Sequence, residues 1–275
     1  MRGMSIRDQF PADIPLEEGL CKLERKGALA WITIQREEVL NCLSFPTLLR
    51  MRTLLEELRE DLSIRCILFT GAGEKAFCAG ADLKERKSMP PERVPVFVRN
   101  IRGLMDDVEA MPQPTIAVIG GFAFGGGTEL SLACDLRVAA PHAQLGLTEV
   151  SLAIIPGAGG TQRLPRLIGK ARAKELVLTG RRIGAEEAER IGLLNSIAPA
   201  GKLHEHANAL AESIAANGPI AVRAAKDAID RGFEMPMAQG LEHEAQCYGR
   251  VLDTSDRLEA LAAFAEKRKP NFQGK

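Results

Sequence analysis

The sequence has few aromatic residues and no excess of charge of either sign. One Trp and one Tyr occur in 275 residues, and 36 basic side chains balance 36 acidic ones. A neutral chain has no bulk attraction for nucleic acid or for an anionic membrane, and scarce aromatics argue against a base-stacking surface. No apolar run approaches the ~18 residues that a bilayer-spanning helix needs. The composition therefore predicts no membrane partner and disfavours nucleic acid.

Cysteine and histidine do not form any metal-binding pattern along the chain. The six cysteines lack CxxC spacing, and the four histidines do not cluster. Cys66 and Cys134 lie in apolar runs and are typical of small core residues, so we expect free thiols in a reducing compartment and no metal. Residues 1–19 mix basic and acidic side chains and lack an apolar segment, which excludes a signal or transit peptide. The predicted location is the cytoplasm, or the mitochondrial matrix if a leader has been removed.

The glycine clusters do not match a nucleotide-binding fingerprint. The segment 157–162 has Gln162 where the dinucleotide motif needs its last glycine, and the chain contains no P-loop. The G-x-S-x-G elbow of serine hydrolases is also missing. Any catalysis must therefore use carboxylates and backbone N–H groups.

The stretch 112–160 contains the residues that most strongly suggest catalysis. Residues 115–119 form a β-branched, apolar run that predicts a buried strand. The glycines at 125–127 allow a sharp turn into a helix, whose first amides are unpaired and favour negative charge. Glu129 falls in that first turn, where a carboxylate beside an anion-stabilising pocket suits proton transfer. An acid that only favours the helix dipole is the equally good alternative on these residues alone.

Two further segments could complete such a site. In the segment 76–85, the small residues at 79–81 leave backbone exposed, so an amide there could join one from the 125–127 turn in an oxyanion hole. An ordinary turn is the alternative. Glu149 follows a short predicted strand and has apolar neighbours. Burial would raise the pKa of Glu149 and make it a competent acid near neutrality.

The remaining pattern predicts alternating strands and helices. Residues 28–34 and 64–69 are predicted strands, and between them Ser44 caps a predicted helix. Strand, helix, strand implies a right-handed crossover. A second long helix is predicted at 90–111, and the chain becomes mainly helical from Gly160 onward.

Six segments in this order resemble the crotonase superfamily, typified by enoyl-CoA hydratase. The resemblance extends from about residue 27 to 272 and is carried by residues 77–84, 125–129, 133–137, 147–149, 155–163 and 264–269. Residues 81–86 and 160–166 look most like the methylglutaconyl-CoA hydratase (AU-binding homologue) branch. The family's usual Arg-Pro is Arg36-Glu37 here, in a loop that we expect to lie away from the chemistry.

This resemblance implies an α/β fold, a crotonase-like spiral of β-β-α units. The catalytic core would occupy residues 1–200, with the first ~20 residues as a peripheral arm. Residues 201–275 would form a helical region for trimerisation, giving a homotrimer or a dimer of trimers. The implied ligand is an acyl-CoA thioester, with no cofactor besides the coenzyme A that belongs to the substrate.

The resemblance also implies roles for individual residues. Backbone amides at Ala81 and Gly126 match those that hold the thioester oxygen, while Glu129 and Glu149 match the pair that positions and activates water. Retention of both acids favours hydration over double-bond isomerisation, which is the alternative reaction. The residues that match substrate and CoA contacts are Ala79, Asp82, Leu83, Lys84, Phe264 and Lys267. A solvated Lys84 beside Glu85 and a Phe264 that only packs remain open.

An RNA-binding role is the third alternative, because the AU-binding branch uses a basic helix. The matching helix, residues 45–61, carries Arg50, Arg52 and Arg59 against four acids. Such a balance makes a poor track for phosphates.

Overall fold

The strands form two sheets in the computed structural model, which describes residues 5–275. The large sheet has the order β1-β2-β3-β5-β7-β10, and the small sheet has the order β4-β6-β8-β9. In chain order, β1 to β10 are Cys21–Lys26, Leu29–Ile34, Cys66–Gly71, Ala76–Cys78, Thr115–Ile119, Phe122–Phe124, Leu136–Ala139, Gln144–Gly146, Ile183–Gly184 and Ser196–Ile197.

Eleven α-helices connect and cover these sheets over the described residues. In chain order, α1 to α11 are Phe45–Arg59, Leu83–Ser88, Val94–Glu109, Gly126–Ala133, Gly160–Ile168, Lys170–Thr179, Ala185–Arg190, Leu203–Ala215, Pro219–Phe233, Met237–Leu252 and Ser255–Ala265. Short 3-10 helices lie at Arg7–Gln9, Glu18–Leu20, Glu37–Val39, Pro91–Arg93 and Glu149–Leu152. No helix within residues 5–275 is long and apolar enough to cross a bilayer.

A repeated β-β-α unit contributes one strand to each of the two sheets. Strands β3, β5 and β7 lie in the large sheet, and each is followed directly by β4, β6 or β8 in the small sheet before helices return the chain. The pairs β3–β5, β5–β7, β4–β6 and β6–β8 are all parallel. This is the predicted spiral of β-β-α units, so the predicted fold class is confirmed.

The central strands β3 and β5 of the large sheet are buried on both faces, and side chains alternate between the two faces along each strand. Residues such as Ile32 and Phe69 face the main core, which includes side chains of both sheets, α1 and α3. Trp31 and Leu68 face the other way and are covered by Ala207 and Ala211 of α8. The helix α8 therefore belongs to the packing of the sheet, whereas α9 and α10 form a hairpin that follows it.

Three local features differ from the sequence prediction or refine it. The strand β1 was not predicted, because its sequence, Cys21–Lys26, alternates charged residues on an exposed edge. The glycine-rich turn at 120–127 contains the short strand β6, Phe122–Phe124. The N-terminal segment, predicted as a peripheral arm, packs Phe10 and Ile14 into the main core. The cysteines are all free, and Cys66 and Cys134 are buried as expected.

Candidate active site

Two backbone amides converge where β4 and β6 end. Leu43 donates to the carbonyl of Gly80 at 2.8 Å and accepts from Asp82 at 2.9 Å, forming a parallel bridge opposite Ala81. In that pattern the amide of Ala81 points away from Leu43. A Cβ placed on Gly126 would lie 3.7 Å from the nitrogen of Ala81, so the two amides are neighbours. Within residues 5–275 neither amide has an acceptor.

Glycine is required where these two turns meet. Gly80 has a φ of 99°, and a Cβ there would lie 2.8 Å from the carbonyl oxygen of Phe124. A Cβ on Gly127 would overlap the carbonyl of Cys78. Only a residue without Cβ permits this approach, which explains the glycine-rich pattern at 125–127 in structural terms.

Glu129 is buried and held by the glycine-rich loop at residues 156–160. Its side chain is only 3% exposed, and Oε1 accepts hydrogen bonds from the amides of Ala158 and Gly160, both at 2.8 Å. Burial raises the pKa of Glu129, and the two amides partly offset that rise. The sequence gave no partner for the glycine-rich segment 157–162, since its pairing with Glu129 spans about thirty residues and leaves no local signature.

Arg163 holds the loop that supplies those amides. Its guanidinium donates to the carbonyl of Ala158 at 3.0 Å and also pairs with Asp106 and Glu109 of α3 at 3.0 and 2.6 Å. Its positive charge also favours the ionised form of Glu129. The sequence analysis assigned no role to Arg163, and its position one turn into α5 was the only available signal.

Glu149 lies at the start of a 3-10 helix, close to Gly125. A Cβ on Gly125 would lie 3.2 Å from Oε1 of Glu149, and Oε2 is buried with no partner in the described chain. Burial raises the pKa of Glu149 to about 7, and the nearby charge of Glu129 contributes to that rise. The expected effect of burial on this acid is therefore present.

The remaining predicted positions near the turn have distinct surroundings. The amide of Ala79 already donates to Leu40 at 3.0 Å. Leu83 and Lys84 are exposed at the start of α2. The carboxylate of Glu85 accepts a hydrogen bond from the amide of Phe45 at 3.0 Å. Glu85 therefore caps α1 and does not pair with Lys84.

The carboxylate of Asp82 is engaged within the chain. It accepts from the amides of Lys84 and Glu85 at 3.0 and 3.2 Å, which caps α2, and it forms an ion pair with Arg36 at 2.9 Å. We expected the loop at Arg36 to lie away from the chemistry, and in this respect the expectation was wrong. Arg36 holds the residue that follows Ala81, because the chain from 36 to 43 folds back along the turn.

Phe264 and Lys267 lie at the end of the last helix. Phe264 is 86% exposed, and Lys267 follows α11 with a left-handed backbone, at a φ of 55°. The structure thus brings together Ala81, Gly126, Glu129 and Glu149, while these two residues belong to a different surface.

This geometry suits proton transfer beside a carbonyl group. Two amides can stabilise an oxygen that gains negative charge, one acid is fixed by backbone donors, and the other titrates near neutrality.

Known proteins share both the sequence and the fold. The family model described as enoyl-CoA hydratase/isomerase matches residues 24–275. Human enoyl-CoA hydratase domain-containing protein 2, mitochondrial, is 49% identical over 248 residues, covering 89% of this chain and 85% of its own. Rat methylglutaconyl-CoA hydratase, mitochondrial, is 41% identical over 281 residues, covering 99% and 89%.

A solved structure agrees at the level of the whole chain. The crystal structure of enoyl-CoA hydratase from Bacillus anthracis superposes with a TM-score of 0.92 at 53% identity, covering 93% of this chain and 100% of that one. With the family model matching nearly the full length, the chain belongs to the enoyl-CoA hydratase/isomerase family.

Proposed function

We propose that this protein adds water across the 2,3 double bond of an enoyl-CoA thioester. The observation that carries the proposal is the meeting of two acceptor-free amides, Ala81 and Gly126, with two acids: Glu129, which is buried, and Glu149, which is half-buried. An isomerase needs one group to move a proton between carbons. A second acid beside the first is what addition of water requires, since a proton must leave water while another reaches carbon.

In the proposed reaction the amides of Ala81 and Gly126 hold the thioester oxygen. Glu129 accepts a proton from water, whose oxygen bonds to C3, and the electrons of the double bond move toward the thioester as an enolate. Glu149 then delivers its proton to C2, and the product is a 3-hydroxyacyl-CoA. One water is consumed, and proton exchange returns the two acids to their starting states.

The assignment of the two acids rests on their surroundings. Glu129 receives two amide hydrogen bonds and the favourable charge of Arg163, which support the carboxylate that a base needs. Glu149 has an unpartnered oxygen, and burial raises its pKa to about 7, so it can hold a proton near neutral pH. The two environments differ in the direction that separates a base from an acid.

The substrate's CoA portion would lie along the turn at Ala79, Leu83 and Lys84. We include Asp82 for its part in shaping this turn, because its carboxylate is already engaged with Arg36. No cofactor enters the proposed chemistry.

A second copy of the chain would complete the CoA site. The helices α9 to α11 expose many apolar side chains: Ile229, Phe233, Met237, Leu241, Tyr248, Leu258, Leu261 and Phe264. A patch of this extent is typical of a protein–protein interface. We therefore propose a homotrimer or dimer of trimers, in which Phe264 and Lys267 of one copy contact CoA bound by its neighbour.

Nucleic-acid binding remains disfavoured. Arg52 of α1 is 3% exposed and is engaged with Asp107, Asn100 and Gln9, so it has no access to a phosphate. For the compartment we retain the cytoplasm, or the mitochondrial matrix if a leader has been removed; the human and rat relatives are named as mitochondrial proteins.

The experiment follows the ultraviolet absorbance of conjugated enoyl thioesters with purified protein. A straight-chain, a branched and a carboxylate-bearing enoyl-CoA are each supplied to wild type and to the Glu129→Gln and Glu149→Gln variants. We expect loss of conjugation in wild type and a large fall in both variants. If no substrate takes up water, the hydratase assignment is wrong, and double-bond migration without water uptake would identify an isomerase.

A further inference from the structure

Three side chains with metal-binding atoms meet between α9 and α10, away from the proposed active site. They are Asp227 of α9 and His243 and Cys247 of α10. His243 and Cys247 are four residues apart, so they share one face of their helix. The sequence analysis expected no metal, because it found no cluster along the chain, and Asp227 comes from a different helix.

A close helix crossing brings these side chains together. A Cβ on Gly240 would lie 3.2 Å from the carbonyl oxygen of Gly232, so the two helices approach closely at their joined ends. The hairpin then aligns position 227, six residues before the end of α9, with position 243, six residues after the start of α10. The convergence is thus a consequence of the backbone, and it does not depend on one flexible side chain.

The spacing of the three ligand atoms fits a tetrahedral zinc centre. Sγ of Cys247 lies 3.5 Å from Nε2 of His243 and 3.7 Å from Oδ2 of Asp227, and Nε2 lies 3.6 Å from Oδ1, the other oxygen of the Asp227 carboxylate, so either oxygen is within reach of the ion. Zinc bonds of about 2.0–2.3 Å at tetrahedral angles separate ligands by about 3.3–3.6 Å. Cysteine, histidine and aspartate are also the ligand types that zinc prefers.

A cationic side chain already contacts two members of this group. The guanidinium of Arg250 bonds to Asp227 and lies 2.6 Å from Sγ of Cys247. Arg250 is about half exposed, at 51%, so its long side chain can move into solvent without unfolding the helix. Arg231 binds Oδ1 of Asp227 at 2.8 Å, which leaves Oδ2 for a second positive partner.

We propose that Asp227, His243 and Cys247 form a site for Zn²⁺, in which the ion replaces the guanidinium of Arg250. Binding releases the thiol proton of Cys247 to solvent, and the resulting thiolate and the carboxylate balance the two charges of the ion. Three protein ligands leave the fourth position for water on the side from which Arg250 departs. The metal would join α9 to α10 and stabilise the hairpin.

Cobalt substitution tests this site without any measurement of enzyme activity. Metal-free protein is titrated with Co²⁺ and then with Zn²⁺. We expect one equivalent of Co²⁺ to give thiolate charge-transfer absorption and the intense visible bands of tetrahedral cobalt, which Zn²⁺ then abolishes. A rise in the melting temperature should accompany Zn²⁺ binding, because the ion binds the folded state.

Matched variants separate this site from adventitious binding. Cys247→Ser, His243→Gln and Asp227→Asn should each weaken binding by more than the ~10–100-fold typical of outer-shell changes. Cys42→Ser should leave binding unchanged, because Cys42 lies in a different part of the fold. Arg250→Met should tighten binding, because it removes the competing cation.

Three results would overturn the zinc site. The first is the absence of thiolate-to-cobalt absorption in wild type, and the second is the same absorption in Cys247→Ser. Weaker binding in Arg250→Met would also contradict the proposal, since it would make the arginine part of the site. Melting curves without metal confirm that each variant is folded, so the test of the site stands even if the hydratase assignment fails.

Discussion

The turns of the proposed active site and the C-terminal helices differ in how far their side chains are exposed to solvent. Around residues 76–163, Glu129 is buried among backbone donors, and most apolar side chains lie in the core, although Leu83, Leu152, Ile154 and Ile155 are exposed. In α9 to α11, Asp256 is buried and the other acids are partly or fully exposed, while Phe233 and Phe264 project into solvent. The first region holds all of the proposed reacting groups within one chain, whereas the second has an apolar surface that only another molecule can cover.

This difference predicts two separate classes of substitution, one that affects activity and one that affects assembly. Changes in the turns should remove chemistry and leave assembly intact. Changes on the exposed faces should remove assembly and leave the reacting groups in place. Each prediction below tests one side of that separation, in order of decreasing effect.

Replacement of either acid should have the largest effect. Glu129→Gln keeps an oxygen for the amides of Ala158 and Gly160, and Glu149→Gln keeps the volume of the side chain, so both variants should fold. We expect each to lower kcat about 10²–10⁴-fold, because each removes one proton-transfer group. Steady-state hydration assays and sedimentation velocity measure activity and assembly on the same samples; a change in assembly with full activity would contradict the separation.

Gly160→Ala should displace the base without removing it. The added Cβ would lie 3.0 Å from Oε1 of Glu129 and 2.9 Å from a methyl of Leu147, so the carboxylate must move. A shift approaching 1 Å in a catalytic group can cost about 10²-fold in rate. The control is Gly184→Ala, where a Cβ meets nothing within 4 Å. Equal activity of the two variants would show that the 156–160 loop does not position Glu129.

The pH dependence of the hydration rate should show which residue donates the proton. If Glu149 donates the proton, hydration declines as pH rises through about 7, because its pKa in the folded protein lies there. Above that value the rate should fall about tenfold per pH unit, and Glu149→Gln should abolish this limb. Rate–pH profiles of kcat/KM measure it; a limb that rises through the same range would exchange the roles of the two acids.

The same group has a predictable effect on stability. Its pKa is raised above the ordinary value of 4.5, so the folded state holds the proton more tightly than the unfolded state does. The stabilisation from this group is therefore fully present below pH ~4.5 and is lost as pH rises through about 7. Denaturation of wild type and Glu149→Gln across that range isolates the contribution.

Substitution of an exposed aromatic should have the smallest effect on folding. Phe264→Ser removes an apolar side chain that is 86% exposed, so the free energy of unfolding of a single chain should change by at most about 0.5 kcal/mol. We expect a shift toward smaller assemblies and a higher KM for the CoA substrate. Light scattering after size exclusion detects the shift, with Leu62→Ser, an exposed residue outside α9 to α11, as the control. Unchanged assembly and KM would make Phe264 an ordinary surface residue.

The sequence predicted those parts of the proposed site whose residues lie within short, continuous segments. The glycine turn before α4, the acid one turn later and the acid after β8 all follow from local composition, and the order of motifs fixes the family. The amides that hold Glu129 could not be predicted, because hydrogen bonds from the backbone carry no residue signature. Arg36 and Arg163 were missed for a related reason: an arginine reveals its partner only after the chain has folded.

The C-terminal helices show the same limit. The sequence predicted a helical region at 201–275, but the approach of Gly232 and Gly240 decides which side chains meet between α9 and α10. Neither His243 nor Cys247 belongs to a recognisable motif, and their neighbour Asp227 lies sixteen residues before His243.

The most direct test of the central claim is the product formed in water labelled with heavy oxygen. Purified wild-type protein is given an enoyl-CoA in the labelled solvent, and the product is examined by mass spectrometry. Hydration by the two acids predicts a gain of one labelled water, with the heavy oxygen bound to C3 and the new hydrogen at C2. A product of unchanged mass with a moved double bond would contradict the account and make the chain an isomerase.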